Sequence, residues 1–338
     1  MQTQQGSGLS LEMEQWLSHA LLVGHSDEDI LAGLAESPWL ADARRFLEST
    51  RQSPLLRVGQ DFAQQLSQVR WLLELQKSVQ KDAYTGGVPR IHVREKERFF
   101  NDFVAANRPV IIEGLTEGWP ANDRWNQEAL TERLGHHQVE YNQYLVRDNA
   151  FVSEKRESTF GEFLRLVYDE NHTDPIYWTA YNQGDSSNPL IQSLTEDIVF
   201  SEDYCRPSPD MKNYIWVGPK GTRSGLHFDP YNVLFVQVVG KKKILLLPPQ
   251  DIPKCYLEND FFAQVDAENP DLTRFPKFAE CRPLEVEVGP GETLLIPVGW
   301  LHQVISLSVS FSVSITCLKL PGGESNHYEA PSLFRGVL

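Results

Sequence analysis

Cysteine is scarce in this chain, and no apolar run is long. The four cysteines, Cys205, Cys255, Cys281 and Cys317, form no CxxC pair. Neither a zinc ribbon nor a thioredoxin-type site is therefore written here. No stretch reaches the roughly 18 apolar residues of a membrane-crossing helix. The opening Met1-Gln2-Thr3-Gln4-Gln5-Gly6 has neither a basic nor an apolar region, so no secretory signal is expected. The expected location is cytoplasmic, with the cysteines as reduced thiols that serve packing. Basic residues are also in deficit: 31 against 46 acidic ones give a formal charge of −15. That balance speaks against a protein that coats nucleic acid, although a local basic groove is compatible with it. Internal repeats, low-complexity tracts and long blocks of like charge are absent. What remains is ordinary globular composition over 338 residues, enough for two domains or one large domain with a flank.

Residues 1–84 are expected to form a helical region, with the first eight residues frayed. Leu11, Trp16, Leu17, Ala20 and Leu21 have helical spacing and stop at Gly24. Ser26 with Asp29 resembles a capping box and opens a helix with Ile30, Leu31 and Leu34. Pro38 is expected to begin another helix, with Leu40, Ala43, Phe46 and Leu47 on one stripe. A longer pattern, Phe62, Leu66, Val69 and Leu73, follows Pro54. Three to four packed helices result, either a cover for the next domain or a docking module.

The turn-rich Thr85-Gly86-Gly87-Val88-Pro89 marks a boundary. Residues 127–134 and 159–168 read as short helices. Strands are expected at 108–114, 215–218, 233–239, 243–247, 284–288, 293–297 and 303–316, divided by glycine and proline. Short strands so divided suggest a sandwich or barrel over 85–320, with a tail at 321–338.

His-x-Asp sets two ligands on one face of a strand, because strand side chains repeat every two residues. That suits two positions of a 2-His-1-carboxylate facial triad. The motif occurs at His25-Ser26-Asp27, His172-Thr173-Asp174 and His227-Phe228-Asp229. The first reads as helix-cap chemistry and the second as a polar loop before Pro175. The third enters a strand after Gly221 and Gly225, and His302, which leads into another strand, is a candidate third ligand. The alternative is a packed, hydrogen-bonded histidine on each strand.

Lys241, Lys242 and Lys243 lie in a strand that otherwise reads as core. Lysine is rarely buried unpartnered, and a buried ammonium wants an anion such as the distal carboxylate of a dicarboxylate. Alternation requires at least one of the three to face solvent. Ser306, Ser308, Ser310, Ser312 and Ser314 alternate with apolar residues. This reads as one strand whose hydroxyl face looks either to water or into a polar pocket.

In order and spacing, several segments resemble the JmjC/cupin-like family of Fe(II)- and 2-oxoglutarate-dependent oxygenases, particularly its protein hydroxylases. They are Asn107 to Ile112, Gly118-Trp119-Pro120 with Trp125, Trp216 to Pro219, Gly221-Thr222, Leu226 to Tyr231, Gln237 to Lys242, Leu247-Pro248-Pro249 and Ile296 to His302. The resemblance covers roughly 88–318. It implies a mainly β fold, a double-stranded β-helix (jelly roll), preceded here by the helical region. It implies that His227, Asp229 and His302 bind iron, and that Lys242, assisted by Ser224, pairs with the distal carboxylate of 2-oxoglutarate. Tyr177 is a second candidate partner, with Tyr181 competing, and Ser314 falls near the cosubstrate. Two departures stand out. Val233 holds a place where many relatives carry Asn, with Asn232 just before it, and Leu301 stands where a second Trp is common.

The implied cofactors are Fe(II), 2-oxoglutarate and O2, and the implied reaction is hydroxylation with succinate and CO2 as coproducts. The acidic charge leans towards a protein or peptide substrate, over RNA; methyl-lysine and small molecules remain open alternatives. The competing class is a non-catalytic cupin-like protein that binds a partner through residues 9–81. A metal-dependent isomerase would want more histidines. Some relatives form a homodimer through C-terminal helices, but the tail here, with Gly322, Gly323 and Pro331, is short.

Overall fold

The computed structural model describes residues 8–79, 86–147, 150–172, 175–181, 188–206, 213–258, 261–323, 326 and 328. For 144–147, 150–152, 180 and 181 it describes the backbone alone. Thr173, Asp174, the Tyr181 side chain and most of the tail therefore lie outside the described residues. The chain divides into two compact units, Met1–Gln80 and Lys81–Leu338.

In the first unit, helices span Leu11–Leu22, Asp27–Ala32, Leu40–Arg51 and Pro54–Val79. Ser10 and Ser26 cap the first two by accepting from the Met13 and Asp29 N–H groups. The core is Leu17, Leu21, Ile30, Ala43, Leu47 and Leu56. The first helix is as expected, with Leu11 and Trp16 on its exposed side. Two expectations are corrected. The third helix starts at Leu40, because Pro38 sits in a turn closed by Leu40 N–H to Ser37 C=O at 3.2 Å. The stripe Phe62, Leu66 and Val69 is exposed, and only Leu56 of its helix is buried. That helix packs through its first turns: Gly59 lies against Leu22, and Gln60 Nε2 donates to Leu21 C=O.

The second unit holds twelve strands among the described residues: β1 (Arg90–His92), β2 (Val110–Glu113), β3 (Gln138–Arg147), β4 (Ala150–Thr159), β5 (Ile176–Tyr181), β6 (Asn213–Gly218), β7 (Val233–Val239), β8 (Lys242–Leu247), β9 (Leu284–Val288), β10 (Glu292–Ile296), β11 (Leu301–Ser306) and β12 (Ser310–Ile315). They make a nine-stranded sheet, β1-β2-β10-β7-β12-β6-β5-β3-β4, and a three-stranded sheet, β11-β8-β9. Isolated bridges Arg223↔Ile305 and His227↔His302 lay the segment before β7 along the free edge of β11. Ile111, Phe235, Leu294 and Ile296 of the large sheet share one core with Ile244, Leu246, Val286, Val288 and Val304 of the small one. The opposite face of the large sheet buries Leu234, Val236, Phe311 and Val313 together with Phe160, Phe163 and Leu130 from the helices Phe160–Tyr168 and Gln127–Leu134. Strand β7 is thus covered on both faces, which is why its sequence is almost continuously apolar. The result is the jelly-roll sandwich expected.

The serine-rich text is not one strand. Strand β11 belongs to the small sheet and β12 to the large one, with a corner at Leu307-Ser308-Val309. Lys241 C=O accepts from Leu307 N–H there, and Ser308 Oγ accepts from Lys241 N–H. The two-residue period runs through the corner, so alternation hid the break. On β12 the apolar side chains take the outer core, and Ser310, Ser312 and Ser314 point inward, all buried. The β3–β4 hairpin is a further element outside the sequence expectations; among its described side chains Val139 and Tyr141 are buried, and residues 153–158 are polar.

Gly240, at φ +73°, turns β7 into β8; a Cβ there would meet Val309 C=O at 1.9 Å. Gly240→Ala is expected to cost on the order of 3 kcal/mol or more through combined strain and backbone clash. Equilibrium denaturation of the purified variant checks this.

Candidate metal centre

His227 and His302 face each other across two antiparallel segments. Each backbone N–H donates to the other's C=O, at 3.1 and 2.7 Å, and the ring centroids lie 4.2 Å apart. Asp229 is two residues beyond His227 and so shares its face. Asp229 Oδ2 lies 3.6 Å from His302 Nε2. The ligand atoms of all three groups fall within 4.8 Å of one another. No such cluster among the described residues includes His25 or His172. Asp27 of the first motif instead opens a helix and pairs with Arg51.

The tautomers follow from the backbone. His227 Nδ1 lies 2.8 Å from Gly225 C=O, and His302 Nδ1 lies 3.1 Å from Trp300 C=O. A carbonyl only accepts, so each Nδ1 carries a proton and Nε2 is the nitrogen that faces the space between the three groups. Burial, and next the charge of His227, push His302 well below its ordinary value. The close approach to Asp229 is therefore a neutral imidazole beside a carboxyl group. Burial also raises Asp229 above the usual carboxylate range, against the lowering pull of His227. His302 and Asp229, each disfavoured in its charged state, are crowded against His227, an arrangement that suits a cation bound by all three. Two imidazoles and one carboxylate are the donor set of a divalent first-row metal with open positions.

Lys242 lies on the same face of the small sheet as His302. In the β8–β11 register Leu246 is opposite His302 and Lys242 opposite Ser306, so four residues, about 13 Å of strand, separate the two levels. The lysine is fully buried. Its Nζ donates to Tyr177 Oη at 3.2 Å and lies 5.4 and 5.5 Å from the Tyr177 and Phe235 ring centroids. No carboxylate pairs with it among the described residues, and burial lowers its pKa from 10.5 to about 7. Lys241 is exposed and Lys243 turns to Glu268, 2.6 Å away, as alternation demands. Ser224 Oγ accepts from Val304 N–H at 3.2 Å, and Ser314 Oγ accepts from Trp216 Nε1–H at 2.9 Å. An accepting hydroxyl still has its own proton to give. A dicarboxylate between the two levels fits this arrangement of ammonium, phenol and hydroxyls.

Tyr177, Ser224, His227, Asp229, His302 and Ser314 line one cavity of about 450 Å³. Its walls are rich in aromatic rings, with Tyr214, Trp216, Phe228, Tyr231, Phe261 and Phe262 contributing. Val233 also lines it, so the position where many relatives carry Asn is apolar here. Sequence reasoning missed the aromatic mouth. Phe262 stacks on His227 at 5.0 Å and 15°, yet it comes from a distant loop whose one legible signal is the pair Phe261-Phe262.

Residues 96–317 match the family model described as cupin-like domain. The chain is 36% identical over 242 residues to lysine-specific demethylase 8 of Danio rerio, covering 68% of this chain and 58% of that protein. It is 34% identical over 229 residues to lysine-specific demethylase JMJ30 of Arabidopsis thaliana, covering 64% and 52%. Similarity to tRNA wybutosine-synthesizing protein 5 of Gallus gallus is 25% over 254 residues, covering 69% and 78%. The chain thus spans little more than half the length of the demethylase relatives it matches.

Proposed function

Because the chain belongs to the cupin-like (JmjC) family of Fe(II)- and 2-oxoglutarate-dependent oxygenases, whose cofactors are Fe(II), 2-oxoglutarate and O2, we propose that it hydroxylates an amino-acid side chain in a protein or peptide. The observation that carries the reading is the convergence of His227, Asp229 and His302 above a buried, carboxylate-free Lys242.

On this reading the two Nε2 atoms and the Asp229 carboxylate hold the metal. Bound iron supplies the oxidising chemistry, in which 2-oxoglutarate and O2 become succinate and CO2 and one oxygen atom enters a substrate C–H bond. The protein's part is position and polarity. Gly225 and Trp300 carbonyls fix the imidazole rings. Lys242 Nζ, Tyr177 Oη and the Ser224 hydroxyl receive the distal carboxylate, and Ser314 sits beside it. Phe262 shields one face of His227, and the aromatic walls exclude water from the reacting atoms. Among the described residues no helix is long and apolar enough to cross a membrane.

A net charge of −15 favours a protein or peptide over a polyanion. A second reading has support of its own: the relative named for tRNA wybutosine synthesis is matched over the larger share of its length. Demethylation of methyl-lysine is a third outcome, drawn from the other relatives' names. One experiment separates them. The enzyme, with Fe(II), 2-oxoglutarate and O2, is offered a peptide library and, separately, bulk tRNA, and succinate is measured. The expected result is succinate release coupled to a mass gain of one oxygen atom in a peptide. Gain of oxygen on tRNA alone, or formaldehyde release with loss of a methyl group, replaces the substrate assignment.

A further inference from the structure

The loop that carries Asp229 and the loop that precedes His302 are tied to each other through Asn232, and Asn232 is itself held by a residue far outside both. Asn232, buried, accepts through Oδ1 from Val298 N–H at 3.0 Å. Its Nδ2 and its backbone N–H both donate to Asn326 Oδ1, at 2.7 and 3.2 Å. Asn326 Nδ2 in turn donates to Asn232 C=O and to Thr316 C=O, each at 2.8 Å. Every polar position of the Asn326 amide is thus used, and four stretches of chain, at Asn232, Val298, Thr316 and Asn326, meet at one pair of amides. Further bonds close the same joint. Tyr328 N–H donates to Pro230 C=O at 2.8 Å, and Gly299 N–H donates to Asp229 C=O at 3.2 Å. The loop's other side is held by Asn107, whose Nδ2 donates to Val298 C=O and whose C=O accepts from Trp300 Nε1.

These bonds bear on the metal ligands without touching them. Asn232 sets the path of the chain three residues after Asp229. Val298, which it holds, lies two residues before Trp300, whose carbonyl orients His302. The spacing between the carboxylate and the second imidazole is therefore fixed through this joint. We propose that Asn326, acting through Asn232, is a positioning residue for the metal centre, so that the chain beyond β12 completes the site. The proposal rests on the metal reading above. Orienting groups one bond removed from the ligands typically change metal affinity 10–100-fold. The joint adds to the apolar packing around it two directed links between the ligand-bearing loops, Val298 N–H to Asn232 Oδ1 and Gly299 N–H to Asp229 C=O.

The test titrates the full metal-free chain with Mn(II), counting free Mn(II) by its paramagnetic resonance signal, alongside a thermal melt. Wild type is expected to bind one Mn(II), and His227→Ala marks loss of the site. Asn326→Ala and Asn232→Ala are expected to raise the Mn(II) Kd ~10–100-fold, and the double variant to match either single one, because the two act as a unit. Leu130→Ala, in the helix packed outside the large sheet, is the control. It is expected to lower the melting temperature at least as much and leave Kd within about twofold. Asn326→Asp keeps the acceptor oxygen but loses both donations, so it decides the matter by Kd should the alanine variant not fold. A folded Asn326 variant that binds Mn(II) as wild type does, or fully additive effects in the double variant, overturns the positioning role. A wild type that takes up no Mn(II) overturns the metal reading itself, and the joint's assignment with it.

Discussion

His227→Ala and Asp229→Ala are each expected to lose turnover by at least about 10³-fold, the rate equivalent of the several kcal/mol a catalytic metal contributes. Stoichiometric metal should be lost with it. The fold should survive. The backbone exchange between positions 227 and 302 does not use the imidazole, and alanine keeps the strand conformation. Asp229→Ala also removes a carboxyl group that burial already holds above its usual range. The melting temperature of the metal-free variant should therefore not fall below that of metal-free wild type. Measured together, succinate release, bound metal and thermal midpoint separate a ligand from a structural residue. Persistent turnover in either variant would remove the triad assignment, and a non-catalytic binding protein would then be the better reading.

Lys242→Met is expected to act in opposite directions on binding and on stability. The ammonium is fully buried among Tyr177 and Phe235, with its pKa lowered to about 7 by desolvation. That depression corresponds to a penalty on the order of 5 kcal/mol for holding the charge in the empty protein. The sign follows from proton counts. Between pH 7 and about 10 the unfolded chain binds the proton and the folded chain does not, so stability rises with pH over that window. Methionine, similar in length and uncharged, abolishes this rise and stabilises the metal-free, cosubstrate-free protein near neutral pH. The same change removes the charge that a distal carboxylate requires, and the Kd for 2-oxoglutarate should rise 100-fold or more. In wild type the bound dianion restores the proton to Lys242, so affinity for 2-oxoglutarate should weaken as pH climbs above 7. Calorimetric titrations in buffers of different ionisation enthalpy would detect the proton taken up. A Lys242→Met protein that binds 2-oxoglutarate normally rules out this lysine as the anion partner.

The share of the fold readable from the text divides by cause. Strands β2, β6, β7, β8, β9 and β10 were legible because glycine and proline bound them. The long alternation through β11 and β12 was misread because a corner between two sheets leaves a two-residue period unbroken. The inward direction of Ser310, Ser312 and Ser314 depended on which side of the large sheet the helices cover. The exposed stripe of the helix Pro54–Val79 shows the limit of periodicity from the other side. A helical spacing of apolar residues states that a face exists, and only packing states what meets it.

At the site, residue type and local spacing were enough to nominate His227, Asp229 and His302, to set aside His25 and His172, and to mark Lys241 to Lys243 as unusual; the choice of Lys242 among the three came from the family resemblance. Those are properties of short segments: a strand carries alternate side chains on one face, and a lysine in an apolar strand needs an anion. Pairing across distant segments had to come from the folded molecule. The antiparallel register puts His302 opposite His227. The stacking of Phe262 on His227 and the hold of Asn326 on Asn232 arise from chain segments whose approach no local pattern encodes. Contacts of that kind are chosen by the competition of all segments for burial and hydrogen bonds at once, so they exist only in the assembled sandwich.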